Sequence, residues 1–441
     1  MKHLSIHLLF LFIIYGCAPA DSSRQSGVEV KSLPERPLSA GESLLRRELQ
    51  NTADPRISYC EILGNDNSTY SGIRDTTLQP LASLSKVITS SWALEQLGSD
   101  YRFRSEVFMK PVNLQTGLFD VYLRTNYDPI VNIEKLLYFI SELKKSGVKQ
   151  IRNLMIDETT RVFLGVLSNP HIELAQVPVS TNDTIENLSL IFNSTNWAEK
   201  TRVARQNILS WAEKNGKIIS IPEDFSVGSI AFKMANQIDT NQFPLKKEIL
   251  SAPLFRYLKN LNVYSNNYLA DALFSRLGGR AAFLSFQNHS LQVTEKEMII
   301  YTGSGLANSA DGTRRDNVAT CFSMIKVLAF FKNKSSQAQL NLGSLLLNPS
   351  LDTDGTFDVP GSYGNALVLK TGRLYDVPAL NVAGFVSTEK GVMSFVFLGH
   401  DFSATEADEI EASRSGMLAD IYSKFKAQAS FTTIDYQAIF F

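Results

Sequence analysis

The sequence predicts a mixed α/β protein in which one α/β body is interrupted by another. Three observations point there. Strand-like runs stand near both ends of the 441-residue chain, helical apolar spacing recurs between them, and the stretch 105–245 alternates strand and helix with a texture of its own. Apolar residues make up 44% and charged residues 20%, enough for a packed core and too apolar for wholesale disorder. Lys plus Arg total 43 against 44 Asp plus Glu, which leaves no excess of positive charge to displace counterions from nucleic acid. Only His171, His289 and His400 lie beyond the extreme N-terminus, and no H-E-x-x-H occurs, so a zinc hydrolase is not expected. No metal and no cofactor is called for.

Taken in order, Lys2 precedes an apolar run from Leu4 to Tyr15. It falls short of the roughly 20 residues that cross a bilayer and reads as a signal-peptide core over residues 1–16. Ile14-Tyr15-Gly16-Cys17 then resembles a bacterial lipobox, with Cys17 as the lipidated first residue of the mature chain. This predicts an exported, periplasm-facing lipoprotein, with the outer membrane a possible destination, joined to its anchor by a polar tether over 17–45. Arg56 to Leu63 alternates as a strand and Gly64-Asn65-Asp66-Asn67 turns it. Leu84, Val87, Ile88, Trp92 and Leu97 follow helical spacing up to Gly98. Within the inserted block, Leu118–Leu123 and Ile151–Ile156 read as strands, and Asn132–Lys145 and Asn196–Lys214 as helices. Helices resume at Leu254. Ala366–Leu369, Ala379–Val386 and Val392–Leu398 are strands, the last two a hairpin turning at Glu389-Lys390-Gly391. A helix over Thr405–Lys426 follows, and Phe431 to Phe441 is expected to pack as a further strand. The body is therefore 46–105 plus 245–441, split by 105–245. An exported enzyme could pair Cys60 with Cys321, which sequence spacing does not decide, and of the two readings buried free thiols are preferred.

One constellation carries chemistry. Ser83-Leu-Ser-Lys86 opens a helix, Ser265-Asn266-Asn267 follows another, and Lys370-Thr371-Gly372 ends an apolar strand. A serine hydroxyl near neutral pH needs a base to become a nucleophile, and three residues of helix bring Lys86 over Ser83. Burial and a second cation at Lys370 would keep the Lys86 amine partly neutral. Ser265 can relay a proton to a leaving amine, Asn267 can hold a substrate amide, and Thr371 a carboxylate. Gly372 would admit the substrate backbone, and the N–H groups of Ser83 and Arg373 would form an oxyanion hole. S-x-x-K alone is uninformative, since it recurs at Ser141/Lys144 and Ser323/Lys326 among others. K-T-G occurs once, and the order and context of the three pieces match the set shared by class A β-lactamases and penicillin-binding proteins.

The resemblance becomes specific further out. Leu97-Gly-Ser-Asp-Tyr-Arg-Phe-Arg104, Asp128-Pro129, Leu154-Met-Ile-Asp157, Gly303-Ser-Gly-Leu306, Asp354-Gly-Thr356 and Ala379-Leu-Asn-Val-Ala-Gly-Phe385 are similar to segments of the class C low-molecular-mass penicillin-binding proteins. That family is the D-alanyl-D-alanine carboxypeptidases/endopeptidases. The resemblance implies a three-layer α/β/α fold of the β-lactamase/transpeptidase type, split by an accessory domain. It also implies hydrolysis of peptidoglycan stem peptides through an acyl-serine, and reactivity with β-lactams. Two departures stand out. The tryptophan-rich acidic segment of relatives is missing from 160–245, and the family's arginine after Leu306 is displaced, with Arg315 carried over in its place. The alternatives are a β-lactamase-like hydrolase, disfavoured by the lack of Glu-x-x-x-Asn between Lys86 and Ser265, and a non-catalytic peptidoglycan-binding lipoprotein, disfavoured by the intact motifs.

Overall fold

The structure, a computed structural model, describes residues 54–63, 69–162, 164, 180–309, 311–352, 355–357 and 363–437. The expected leader, Cys17, the tether and the turn at 64–67 lie outside the described residues.

Strands from early and late in the described chain meet in one sheet. Strand β1 (Ile57–Leu63), β2 (Thr69–Ile73), β11 (Leu367–Leu374), β12 (Ala379–Thr388) and β13 (Gly391–His400) form an antiparallel sheet in the order β11-β12-β13-β1-β2. Period-two alternation gives it two apolar faces. Cys60, Ile62, Val368, Phe385, Val396 and Leu398 belong to the core shared with helices α1 (Ser85–Leu97) and α8 (Cys321–Gln337). Tyr59, Leu369, Val382, Phe395 and Phe397 instead meet Ile410, Met417 and Ile421 of α9 (Ala407–Lys424). Helix, sheet, helix is the three-layer arrangement the motifs imply. β12 is buried along its whole length because it is covered on both faces and paired on both edges.

Between α1 and the rest of this body lies a second sheet in the order β7-β6-β5-β4-β8. Its strands are β4 (Arg102–Asn113), β5 (Leu118–Arg124), β6 (Gln150–Ile156), β7 (Ser226–Phe232) and β8 (Leu245–Pro253). β5, β6 and β7 are parallel, so helical crossovers are required: α2 (Ile133–Lys145) for the first, α3 (Thr181–Phe192) and α4 (Glu199–Lys214) for the second. Asn132 caps α2 by accepting the Lys135 N–H at 3.1 Å. Strands β4 and β8 escaped the sequence reading because their outward positions are charged. Arg104 pairs with Glu248 at 3.0 Å, and Lys246 with Glu106 at 2.5 Å. β8 runs straight into α5 (Leu254–Val263), which is followed by α6 (Asn267–Arg276) and α7 (Gly279–His289). A small sheet of β3 (Gln79–Pro80), β9 (Met298–Ile299) and β10 (Val318–Ala319) completes the body.

Two expectations are corrected. Cys60 and Cys321 are not free thiols: they form a disulfide with Cα atoms 6.0 Å apart. The first turn of α8 lies over the middle of β1, which brings together residues 261 positions apart. The C-terminal stretch is no strand over its described part, up to Gln437. It packs as irregular chain, with Asn260 Nδ2 donating to Tyr436 O at 2.9 Å and Thr433 Oγ1 to Asp352 Oδ1 at 2.5 Å. Asp352 in turn meets the fully buried Lys259 ammonium at 2.5 Å.

Candidate active site

Ser83 does not open the helix, as the sequence suggested, but sits in a 3-10 turn, Ala82–Leu84, that leads into α1. Ala82 is held at φ 49°, a left-handed conformation that costs a non-glycine residue of order 1–3 kcal/mol. The surroundings enforce it. Asn381 Nδ2 on β12 donates to the carbonyls of Pro80 and Leu81, at 2.8 and 3.1 Å, and the Leu81 N–H donates to Asn317 O at 2.9 Å. Gly305, at φ 87°, lies so close that a Cβ would fall 1.8 Å from Ala82 O. Gly372 plays the same part from the other side: a Cβ there would meet Leu81 O at 2.7 Å. Its lack of a side chain thus admits the nucleophile turn, where the sequence reading had assigned that space to substrate. K-T-G also lies inside β11 rather than at its end.

Lys86 is fully buried and three acceptors surround its Nζ: Ser83 Oγ at 2.8 Å, Asn267 Oδ1 at 2.7 Å and Ser304 O at 2.8 Å. Burial pushes this ammonium down to about 7, partly opposed by the Asp271 carboxylate. An amide and a carbonyl oxygen can only accept, so they retain two of its protons. When Lys86 is neutral, its lone pair faces the Ser83 hydroxyl. Lys370, also buried, donates to Ser265 Oγ at 3.0 Å and to Thr371 O at 2.9 Å. Burial, and then the charge on Lys86, hold it well below the usual ammonium range. Ser265 takes φ 53° between α5 and α6, a second left-handed residue at the site. Three distant segments therefore converge: a hydroxyl with its base, and a second hydroxyl with its cation.

The family of D-Ala-D-Ala carboxypeptidase 3 (S13) matches residues 58–170 and 231–421, which include all three motifs. The chain belongs to that family. It is a serine hydrolase of the D-Ala-D-Ala carboxypeptidase/endopeptidase class, related to the low-molecular-mass penicillin-binding proteins. Among solved structures, the predatory endopeptidase Bd0816 of Bdellovibrio bacteriovorus, in complex with immunity protein Bd3460, is 26% identical to this S13 peptidase. The TM-score is 0.76, covering 87% of this chain and 96% of that one. Bd3459, a predatory peptidoglycan endopeptidase of the same organism, is 25% identical with a TM-score of 0.75, covering 87% and 98%. Penicillin-binding protein 4 of Haemophilus influenzae shares the fold at 19% identity and a TM-score of 0.54, covering 87% and 99%.

The S13 site brings together Ser83, Lys86, Ser265, Asn267, Lys370 and Thr371. Arg373 lies one residue beyond Gly372, exposed, its guanidinium 5.0 Å from the Tyr375 ring. Arg315 stands in a short hairpin and is engaged with Asp311 at 2.7 and 2.8 Å, and among the described residues it makes no hydrogen bond to the motif residues. Cys17 lies outside the described residues.

Three contributors were missed in the sequence. Asp271 accepts the Ser304 N–H at 2.8 Å and so aims the Ser304 carbonyl at Lys86; burial raises its own carboxyl. It stands four residues after Asn267 on α6, the spacing of one helix face, which was the available signal. Asn317, two residues past Arg315, accepts from the Tyr301 N–H at 2.8 Å and donates to Ser85 Oγ at 2.9 Å. Asn381, the third, left no local trace.

A pH profile follows from Lys86. Only its neutral form can accept the serine proton, so acylation of the S13 peptidase by penicillin should rise with pH through about 7 and then level. Since the Asp271 carboxylate pulls the Lys86 value upward, Asp271→Asn should move this limb to lower pH. A limb that stays put or moves up would remove Lys86 as the base.

Proposed function

We propose that this protein hydrolyses D-alanyl peptide bonds of bacterial peptidoglycan, cross-links included, on the outer side of the cytoplasmic membrane. The observation that carries the reading is the 2.8 Å contact of a buried amine, poised near neutrality, with the Ser83 hydroxyl. Lys86 takes the Ser83 proton as Oγ attacks the carbonyl carbon of the D-alanyl residue. The N–H groups of Ser83 and Arg373 receive the oxyanion. As the C–N bond breaks, that proton passes through Ser265, oriented by Lys370, to the leaving amine. Water then attacks the acyl-serine carbonyl, giving a proton to Lys86; the C–Oγ bond breaks to release the product acid, and Lys86 returns the proton to Ser83 Oγ. Asn267, which already holds Lys86, is placed to receive the substrate amide.

Action on cross-links is supported by the likeness to Bd0816 and Bd3459, both described as endopeptidases, across nearly the whole of each chain. The missing tryptophan-rich acidic segment in 160–245 agrees with a cleft open enough to admit a cross-linked peptide. Purified protein should release monomers from cross-linked muropeptide dimers and terminal D-Ala from pentapeptide monomers. Loss of D-Ala with dimers untouched would remove the endopeptidase reading, and neither reaction would remove the function. Export as a lipoprotein anchored at Cys17 is the reading that the apolar run Leu4–Tyr15 and the lipobox-like Ile14–Cys17 support.

A further inference from the structure

Ser265 stands at φ 53°, and a left-handed serine persists only where its surroundings fix it from both sides. The downstream side is local. The Asn266 N–H donates to Leu261 O at 3.1 Å, and Asn266 Oδ1 caps α6 by accepting the Leu269 N–H at 2.9 Å. The upstream neighbour, Tyr264, is held by the last described residues of the chain. Its ring meets that of Tyr436 edge-on with centroids 5.5 Å apart, and its hydroxyl accepts from Gln437 Nε2 at 3.4 Å. Both rings are buried.

Polar bonds hold this strap in register along α5, the helix that ends two residues before Ser265. The buried Asn260 donates from Nδ2 to Tyr436 O at 2.9 Å, and the buried Lys259 ammonium lies 5.5 Å from the Tyr436 ring. Lys259 also donates to Gly343 O, Leu346 O and Asp352, and Asp352 accepts the Thr433 hydroxyl at 2.5 Å. Earlier in the strap, the Phe431 N–H donates to Asn365 O at 2.9 Å and the Thr432 N–H to Asn341 Oδ1 at 3.1 Å.

We propose that residues 431–437 position the Ser265 hydroxyl for proton transfer, with the Tyr436 ring as the contact that matters, an inference that rests on the peptidase reading of this site. Tyr436 is a positioning residue that acts on Ser265 through Tyr264. Lys370 orients the Ser265 hydroxyl by a 3.0 Å bond, which requires the backbone at 265 to stay where it is. As the C–N bond breaks, Ser265 gives its proton to the leaving nitrogen and takes one from Lys86. A displaced hydroxyl therefore fails a leaving amine. A thiolate needs no such proton: the C–S bond breaks with its electron pair on sulfur, and Lys86 releases its proton to water.

The experiment compares kcat/KM, which reports the steps up to the acyl-serine, for an acyl-D-Ala-D-Ala peptide and for a thiolester of the same acyl-D-alanine. Tyr436→Leu keeps an apolar side chain and the backbone bond from Asn260 but removes the ring. It should lower the peptide value about tenfold or more while the thiolester value holds, as misplacement of a general acid does. Tyr436→Phe should restore the ratio of the two. Should Tyr436→Leu unfold, Thr433→Val takes its place: it removes only the hydroxyl on Asp352 and should move the ratio in the same direction. An unchanged ratio in the folded variant, or a fall shared equally by both substrates, overturns this assignment alone. A wild type that cleaves neither substrate overturns the peptidase reading and this assignment with it.

Discussion

Replacing Ser83 by alanine should abolish labelling by fluorescent penicillin and slow D-alanyl peptide hydrolysis by about ten-thousand-fold or more, as loss of a catalytic nucleophile does. The site would otherwise persist. Ser83 Oγ is one of three acceptors on Lys86, so Asn267 and Ser304 continue to hold the amine. The strained turn is fixed by Asn381, Asn317, Gly305 and Gly372 through backbone contacts that a methyl side chain leaves in place. Lys86→Met is the matched comparison: it keeps the hydroxyl and removes the base, and should slow acylation by about 10²–10⁴-fold. Both variants should retain the wild-type circular dichroism spectrum and unfolding midpoint to within a few degrees. A Ser83→Ala protein that still captures penicillin would refute the assignment of the nucleophile.

The second large effect concerns the Cys60–Cys321 bond. It closes a loop of 261 residues, and in the loop-entropy account so long a closure contributes about 5–6 kcal/mol by restricting the unfolded chain. Both cysteines are fully buried between β1 and α8, so a Cys60→Ala/Cys321→Ala double variant also leaves the sheet packed less tightly. Its denaturant midpoint should fall markedly, and reduction should lower the wild type toward the same value. Such a bond persists in oxidising compartments, which supports the proposed export. Protein recovered from its own cells should therefore carry it in the envelope fraction, sedimenting with membranes, whereas Cys17→Ala should not sediment. Fully reduced native protein with a wild-type midpoint in the double variant would refute both the bond's contribution and the compartment.

The chemistry was legible where it is local. Ser83 and Lys86 lie three residues apart, and Lys370 and Thr371 are adjacent, so residue type and spacing placed each pair once the order of the three motifs singled them out. The groups that finish the site are tertiary. The Ser304 carbonyl is backbone and carries no motif, Asn381 reads as one polar residue in an apolar strand, and Asn317 was overshadowed by the arginine two positions before it. The turn before α1 was hidden because helical periodicity begins at Leu84 and cannot distinguish a 3-10 entry from a first α turn. β4 and β8 were hidden because cross-strand ion pairs replaced apolar residues on their outer face. The cysteine pairing depended on how β1 reaches beneath α8, which no spacing records.

The pairing of β1 with β13 also governs when the molecule acquires its hazard. The hydroxyl is encoded early, but the cation that completes the site arrives some 287 positions later on a strand held by β12, and β1 itself has no inner neighbour until β13 exists. A ribosome-bound chain that has not yet supplied β11 therefore lacks the amine that completes the site, because the contacts that place it are long-range ones. Latency during synthesis is thus built into the topology.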